Sequence, residues 1–245
     1  MIKTSGIVLR VFDYSETSQV AYLCTEGHGQ VHLLAKGSRR KRKDGRGPFS
    51  LLDQCQVVYI RRAGGGLCIA TDWLATRVYR RLREDLGALY AALFAAELTL
   101  ATTHEEEDGG EYFKLLEGFL AALNHGRDPD PARLRFEVGL LDALGLLPEF
   151  TTCAECGRSL GRMARFSAAA GGAVCSDCGM ADAEATGLSQ GSLAALRRLA
   201  DRRAGEARVV LSAAQTQEID RALKDHFEYQ LGRPLRTAGH VVRTA

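Results

Sequence analysis

The hydrophobic pattern of the chain changes period at Leu82, and this change limits the folds that the chain can adopt. Before Leu82, β-branched and aromatic residues form five short runs, whereas after it apolar residues recur about every 3.6 positions. The runs cover residues 2–12, 17–25, 29–37, 55–63 and 66–77, with turn residues between them. Five strands in about 80 residues predict a small closed barrel, for which the OB-fold has the right size and strand count. An SH3-like barrel would give a similar pattern.

The segment after the barrel predicts helices with recognisable start signals. A first helix is predicted from Leu82, because the 3.6-residue period starts there. A later helix is predicted where Asp130 can cap the helix and Pro131 can occupy its first position. Nearer the end of the chain, Ser212 and Gln215 have the spacing of a capping box.

Four of the seven cysteines form two tight pairs with the spacing of a structural metal site. Cys153 and Cys156 stand in CAEC, Cys175 and Cys178 stand in CSDC, and eighteen residues separate the pairs. Four thiolates on short turns supply the ligands of one structural zinc ion and leave no open position for chemistry. The remaining cysteines, which are expected to be core thiols, are Cys24, Cys55 and Cys68.

The formal net charge of +2 conceals a strongly basic N-terminal third. Residues 1–81 carry 14 basic and 6 acidic side chains, whereas residues 82–150 carry 5 basic and 14 acidic ones. Seven of the basic residues crowd into LLAKGSRRKRKDGRGPFSLL, residues 33–52, around the single acid Asp44. Like charges this close repel one another, so the segment is expected to meet a polyanion.

We predict that a loop between the third and fourth strands binds nucleic-acid phosphates. The predicted contacts are Lys36, Arg39, Arg40, Lys41, Arg42, Lys43 and Arg46, followed in rank by Arg61, Arg62, Arg77, Arg80 and Arg81. Such contacts read the phosphate backbone, so low sequence specificity is expected. The candidates for base stacking are Phe12, Tyr14, Tyr22, Phe49, Tyr59 and Trp73, and the sequence does not choose among them. The alternatives are a disordered, solvated loop without a ligand and a signal resembling those for nuclear localisation.

Several classes of function lack their sequence signatures. The chain contains no P-loop and no G-x-G-x-x-G motif, so we expect neither nucleotide binding nor ATP hydrolysis. An enzyme with its site at the zinc is disfavoured by a ligand set of four thiolates. No run reads as a signal peptide or reaches membrane-spanning length, so a cytoplasmic protein without a membrane partner is expected.

In this order of elements, the chain resembles the RecO family of bacterial DNA repair proteins, which are recombination mediators. The resemblance rests on SGIVLRVFDYSETSQVAYLCTEGHGQVHLLAKGSRR near the start, LRFEVGLLDALGLLPEFTTCAECG before the cysteines, and LKDHFEYQLGRPLRT near the end. It implies an α+β chain, with an N-terminal five-stranded OB-fold barrel followed by an α-helical domain that carries a four-cysteine zinc module. The expected boundaries are 1–81 for the nucleic-acid-binding barrel, 82–150 and 187–245 for the two parts of the helical domain, and 151–186 for the zinc module.

The resemblance also implies a function without a catalytic residue. RecO-like proteins bind single- and double-stranded DNA and anneal complementary strands. With RecR, they help RecA to load onto DNA coated by single-stranded-DNA-binding protein, and association with the nucleoid follows from that role. The competing interpretation is a zinc-containing OB-fold protein that binds RNA or the ribosome through the same basic surface, with a preference for the 2′-hydroxyl.

Overall fold

Five strands at the start of the chain close into a barrel. The computed structural model describes residues 1–40, 47–61, 66–105, 109–161, 163–201 and 209–241. The strands are β1 (Ile2–Asp13), β2 (Gln19–Thr25), β3 (Gly29–Ala35), β4 (Gln54–Ile60) and β5 (Cys68–Arg77). Their order around the barrel is β1-β2-β3-β5-β4, with β3 and β5 parallel and β4 pairing back to β1. Strand number, size and closure confirm the predicted OB-type barrel.

Three of the six candidate stacking rings belong to the barrel interior. They are Phe49, Tyr59 and Trp73, whose exposed fractions are 6%, 0% and 5%. These rings pack among inward-facing aliphatic side chains and therefore offer no face to a base. The prediction of core thiols is confirmed for Cys24 and Cys55, because both are buried and burial raises the pKa of each to about 12. Cys68 packs against the same core from a partly exposed position.

Two helices complete the first of two compact units, which extends from Met1 to Arg127. A 3-10 turn (Arg80–Arg83) leads into α1 (Leu86–Thr102), and α2 spans Gly110–Asn124. The first helix does not begin at Leu82, because the Asp85 side chain accepts a hydrogen bond from the Ala88 amide at 3.0 Å and caps the helix there. The finer division of the chain at residues 81, 150 and 186 stays a prediction.

The second unit, Asp128–Ala245, combines helices with a small sheet that the sequence did not predict. Its helices are α3 (Pro129–Ala143), α4 (Ser176–Ala181), α5 (Gln190–Ala200), α6 (Ala213–Leu231) and α7 (Ala238–Val241). The strands β6 (Ala164–Ser167), β7 (Gly172–Val174) and β8 (Thr186–Leu188) form an antiparallel sheet in the order β7-β6-β8. Strands of three or four residues are too short for their alternation to be recognised in sequence. Throughout the described ranges, no helix is long and apolar enough to cross a membrane.

Two helix starts in this unit test the capping predictions. Helix α3 begins two residues before its predicted start, because Asp128 is the cap and its side chain accepts a hydrogen bond from the Asp130 amide at 3.2 Å. The Asp-Pro dipeptide occurs twice in succession, and the helix uses the first copy. The predicted capping box of α6 is confirmed, since Ser212 and Gln215 exchange side-chain to backbone hydrogen bonds at 2.9 and 3.3 Å.

A buried arginine joins α3 to α6. Arg133 is inaccessible to solvent, and it contacts Glu137 one helical turn further along α3. Its Nη2 lies 2.5 Å from Oδ1 of Asp220, which is 87 residues away in the sequence. Burial raises the pKa of Glu137, whereas the Arg133 charge opposes that rise. Because a buried charge without its partner is costly, this network ties the two helices to one relative position.

Candidate functional site

The four paired cysteines come together at one place in the second unit. The Sγ atoms of Cys153, Cys156, Cys175 and Cys178 all lie within 4.8 Å of one another. The Sγ atoms of Cys156 and Cys175 are 3.9 Å apart. An ion held tetrahedrally at about 2.3 Å from four sulfurs requires sulfurs about 3.8 Å from one another. The donor set and the spacing therefore fit a single tetrahedral metal ion.

Two tight turns place these thiols. After the first pair of cysteines, Gly157 adopts a φ of +71°, a conformation that favours glycine, and its amide donates to the Cys153 carbonyl at 2.8 Å. The second pair spans the start of α4, where the Gly179 amide donates to the Cys175 carbonyl at 2.9 Å. The Cys175 amide also donates to the Sγ atom of Cys153 at 3.3 Å. This hydrogen bond joins the two turns and stabilises thiolate charge.

Arg158 is a residue of this site that the sequence analysis missed. Its Nε lies 3.3 Å from the Cys156 Sγ, and its Nη2 lies 3.1 Å from the Asp177 carboxylate. The hydrogen bond from Arg158 lowers the pKa of Cys156 to about 6, which favours the thiolate that a metal ion requires. One signal in the sequence could have indicated this role: Arg158 follows Cys156 by two residues and therefore lies in the same turn.

Three of the predicted phosphate contacts lie in a turn that follows β3. Lys36, Arg39 and Arg40 are all exposed. The Arg39 Nη1 lies 2.8 Å from the Asp13 carboxylate, and the Arg39 amide donates to the Thr17 carbonyl at 3.1 Å. The turn is thus held against the hairpin of β1 and β2. The other predicted loop residues, Lys41, Arg42, Lys43 and Arg46, lie outside the described residues.

A single glutamine anchors both stems of the predicted basic loop. Gln19 is buried, and its Oε1 accepts hydrogen bonds from the Ser38 hydroxyl at 3.1 Å and from the Phe49 amide at 2.9 Å. Near the second stem, the Trp73 indole N–H donates to the Gly47 carbonyl at 2.8 Å. Ser38 comes directly before Arg39, and Phe49 follows the last basic residue of the loop, so the barrel fixes the chain on both sides of the basic residues from Arg39 onward.

The arginines that we ranked second fall into two places. Arg77, at the end of β5, pairs in register with Gln54, the first residue of β4. The 3-10 turn Arg80–Arg83 follows directly, so these arginines lie at the barrel end where the basic loop returns. Arg61 instead follows the last residue of β4, and a seven-residue strand places it about 20 Å away. Arg62 lies outside the described residues.

Two arginines at the returning end of the loop already have carboxylate partners. Arg77 lies 3.4 Å from Glu117 of α2. Arg83, which we did not rank, lies 3.0 Å from Asp53 and donates to the Ser50 hydroxyl at 2.9 Å. Burial raises the pKa of Asp53, and the Arg83 charge opposes that rise. A phosphate at either arginine would have to compete with these partners.

The stacking candidates that the core does not use lie on the outside of the barrel. Phe12 and Tyr14 are 41% and 63% exposed, and Tyr22 is partly exposed. Alternation along β1 could have assigned Phe12 to the outer face. The identity of its neighbours on other strands could not be read from the sequence, since it depends on strand register.

These features define a class of protein, namely an OB-type barrel with a basic turn, followed along the chain by a helical unit in which four cysteines lie close enough to hold one metal ion. Two family models match the chain: "Recombination protein O N terminal" over residues 1–90 and "Recombination protein O C terminal" over residues 83–238. The chain therefore belongs to the RecO family.

Curated relatives agree with this assignment. The DNA repair protein RecO of Anaeromyxobacter sp. (strain K) is 37% identical over 241 residues, which cover 96% of this chain and 93% of the relative. The protein of the same name from Anaeromyxobacter dehalogenans (strain 2CP-1) is 38% identical over 95% of this chain and 92% of its own length. That of Myxococcus xanthus is 32% identical over 79% of each chain. Membership in this family supports a role in DNA repair.

Proposed function

We propose that the protein is a DNA-binding recombination mediator that acts by binding and not by catalysis. It binds single- and double-stranded DNA and anneals complementary strands. Together with RecR, it assists the loading of RecA onto DNA coated by single-stranded-DNA-binding protein. It works in the cytoplasm, at the DNA of the nucleoid.

The observation that carries this proposal is the basic turn at one end of an OB-type barrel in a family of DNA repair proteins. Lys36 and Arg40 are exposed there, and Arg39 is exposed beside Asp13. Annealing brings two phosphate backbones together, and their repulsion is reduced when basic side chains neutralise phosphates and release counterions. Because the stems of the loop are anchored through Gln19, the barrel holds this charge at a defined place.

In this proposal the cysteine site holds one zinc ion with a structural role. Four thiolates are the usual ligand set of structural zinc, and they leave no position for water or substrate. The ion would hold the two cysteine turns of the second unit together. It supplies no step of annealing.

Annealing of labelled complementary oligonucleotides tests the proposed function. We expect annealing by the protein alone without nucleotide, and annealing of strands coated by single-stranded-DNA-binding protein, with RecR increasing RecA loading. ATP should leave the annealing rate of this chain unchanged. Absence of annealing by folded, metal-replete protein would contradict the proposal.

Equal lengths of single-stranded DNA and RNA, compared at one salt concentration, separate DNA repair from RNA binding. We expect DNA to bind at least as tightly as RNA. A strong preference for RNA would favour a contact with the 2′-hydroxyl and hence the competing function.

A further inference from the structure

A row of side chains crosses the outer face of the barrel beside the basic turn. The register pairs Arg10 of β1 with Tyr22 of β2, and Tyr22 with His32 of β3. Phe12 follows Arg10 by two positions and therefore points to the same face of β1. Directly after it comes Asp13, the ion-pair partner of Arg39. The row thus adjoins the proposed phosphate contacts.

The rings of this row are in ordered contact. Tyr22 and His32 stack, with centroids 3.8 Å apart and planes inclined by 21°. Phe12 meets Tyr22 edge to face, with centroids 6.0 Å apart. The Arg10 guanidinium carbon lies 5.7 Å from the Phe12 centroid and 6.0 Å from the Tyr22 centroid, within the range of cation–π attraction.

The His32 end of the row is held by polar contacts at both ring nitrogens. The His32 Nδ1 lies 2.7 Å from the Glu105 carboxylate, and its Nε2 lies 3.3 Å from the Gln30 side-chain oxygen. These contacts orient the imidazole, the stacked imidazole orients Tyr22, and Tyr22 supports Phe12. Phe12 nevertheless remains 41% exposed. An aromatic ring held in place at the surface, between a cation and a basic turn, is suited to stack on a base.

We propose that Phe12 is a stacking platform for an unpaired base of single-stranded DNA, with Tyr22 and His32 as positioning residues and Arg10 as the adjacent cation. The proposal rests on the DNA-binding function proposed above and adds a contact with bases to the contacts with phosphates. Every base has a π-face, so the contact needs no sequence specificity.

Stacking has two consequences that suit annealing. It engages the face of a base and leaves the Watson–Crick edge open for a complementary strand. It also distinguishes single strands from duplex, since the faces of paired bases are already covered by their neighbours. Phosphate contacts also leave that edge open, but they do not distinguish single strands from duplex, because both carry the same kind of backbone.

The test compares wild type with Phe12→Ala on an oligothymidylate, on an abasic deoxyribose-phosphate strand of equal length, and on duplex DNA. We expect wild type to bind the oligothymidylate more tightly than the abasic strand. Phe12→Ala should weaken oligothymidylate binding by roughly 5- to 150-fold and remove that preference. Its duplex affinity and its salt dependence should stay unchanged, because no phosphate contact is lost.

Two further variants serve as controls. Leu74→Ala truncates another exposed apolar side chain of the barrel, 53% accessible, and should leave every affinity unchanged. Phe12→Trp should retain the preference for base-bearing DNA, because it keeps an aromatic face. Thermal melting would check that each variant is folded.

Two outcomes separate this proposal from the function on which it rests. If wild type binds base-bearing and abasic strands equally well, or if folded Phe12→Ala keeps the wild-type preference, the stacking platform is wrong and DNA binding stands. If wild type binds none of the three probes, the proposed function itself fails.

Discussion

Removing the three described basic residues of the turn after β3 should reduce the salt dependence of DNA binding by a predictable amount. The variant combines Lys36→Ala, Arg39→Ala and Arg40→Ala. Within the described ranges, Lys36 and Arg40 form no ion pair, so each is counted as one full phosphate contact. Arg39 already pairs with Asp13 at 2.8 Å, so its contribution lies between zero and one contact. Two to three contacts are therefore lost.

Each phosphate contact with a single strand contributes about 0.7 to the slope of log K against log salt concentration. The slope should therefore become shallower by about 1.4 to 2.1 in the variant. Both proteins should lose affinity between about 50 and 200 mM salt, and the fold-loss of the variant should be roughly 7 to 18 times smaller than that of wild type. Fluorescence anisotropy with a labelled oligothymidylate across a salt series measures both quantities.

A matched control separates a local effect from a change in net charge. Arg198, Arg221 and Arg233 are exposed residues of the second unit, and replacing them with Ala also removes three positive charges. We expect this control to retain most of the wild-type slope. An unchanged slope in the folded turn variant, or an equal change in the control, would refute the assignment of Lys36–Arg40 as phosphate contacts. In that case, the arginines at the returning end of the loop would be tested next.

Three other outcomes follow from the second unit. Purified protein should contain about one zinc ion, and Cys156→Ser should lower the metal content and the melting temperature; metal analysis that finds no zinc in protein prepared without chelator would contradict the site. Asp220→Asn should lower the free energy of unfolding by about 3 kcal/mol in urea titrations, because Arg133 loses a buried partner, and a loss below about 1 kcal/mol would show that the network is not needed. Burial lowers the pKa of His226 below 6.5, because the folded protein favours the neutral ring. The stability that the neutral ring contributes is therefore complete above pH 6.5 and is lost as the pH falls through the lowered pKa. His226→Gln, which can still donate to the Leu146 carbonyl, should therefore show a weaker loss of stability on acidification, and an equal loss would rule out His226 as its source.

Local sequence patterns predicted the elements whose signals lie within a few residues. The five strands of the barrel follow from runs of β-branched and aromatic residues bounded by turn residues, each strand being seven or more residues long. The start of α6 follows from the spacing of Ser212 and Gln215. The same kind of reasoning missed β6, β7 and β8, because runs of three or four residues carry too little periodicity.

The candidate site was only partly predictable for a related reason. The spacing of the cysteine pairs was enough to predict that their four sulfurs meet, as they do within 4.8 Å. Arg158 was missed because its role depends on the direction of a side chain after a turn. The concentration of basic residues indicated a surface for a polyanion. It could not show that Arg61 and Arg77 lie at opposite ends of β4.

The sequence by itself determined the strands of the barrel, the two cysteine pairs and the concentration of positive charge, because each is set by residues close together in the chain. Only the tertiary structure decided that Phe49, Tyr59 and Trp73 fill the barrel. It also decided that Arg10, Tyr22 and His32 form one row across three strands, and that Arg133 meets Asp220 in the interior. These outcomes depend on strand register and helix packing, which are fixed when distant segments bury their apolar surfaces together.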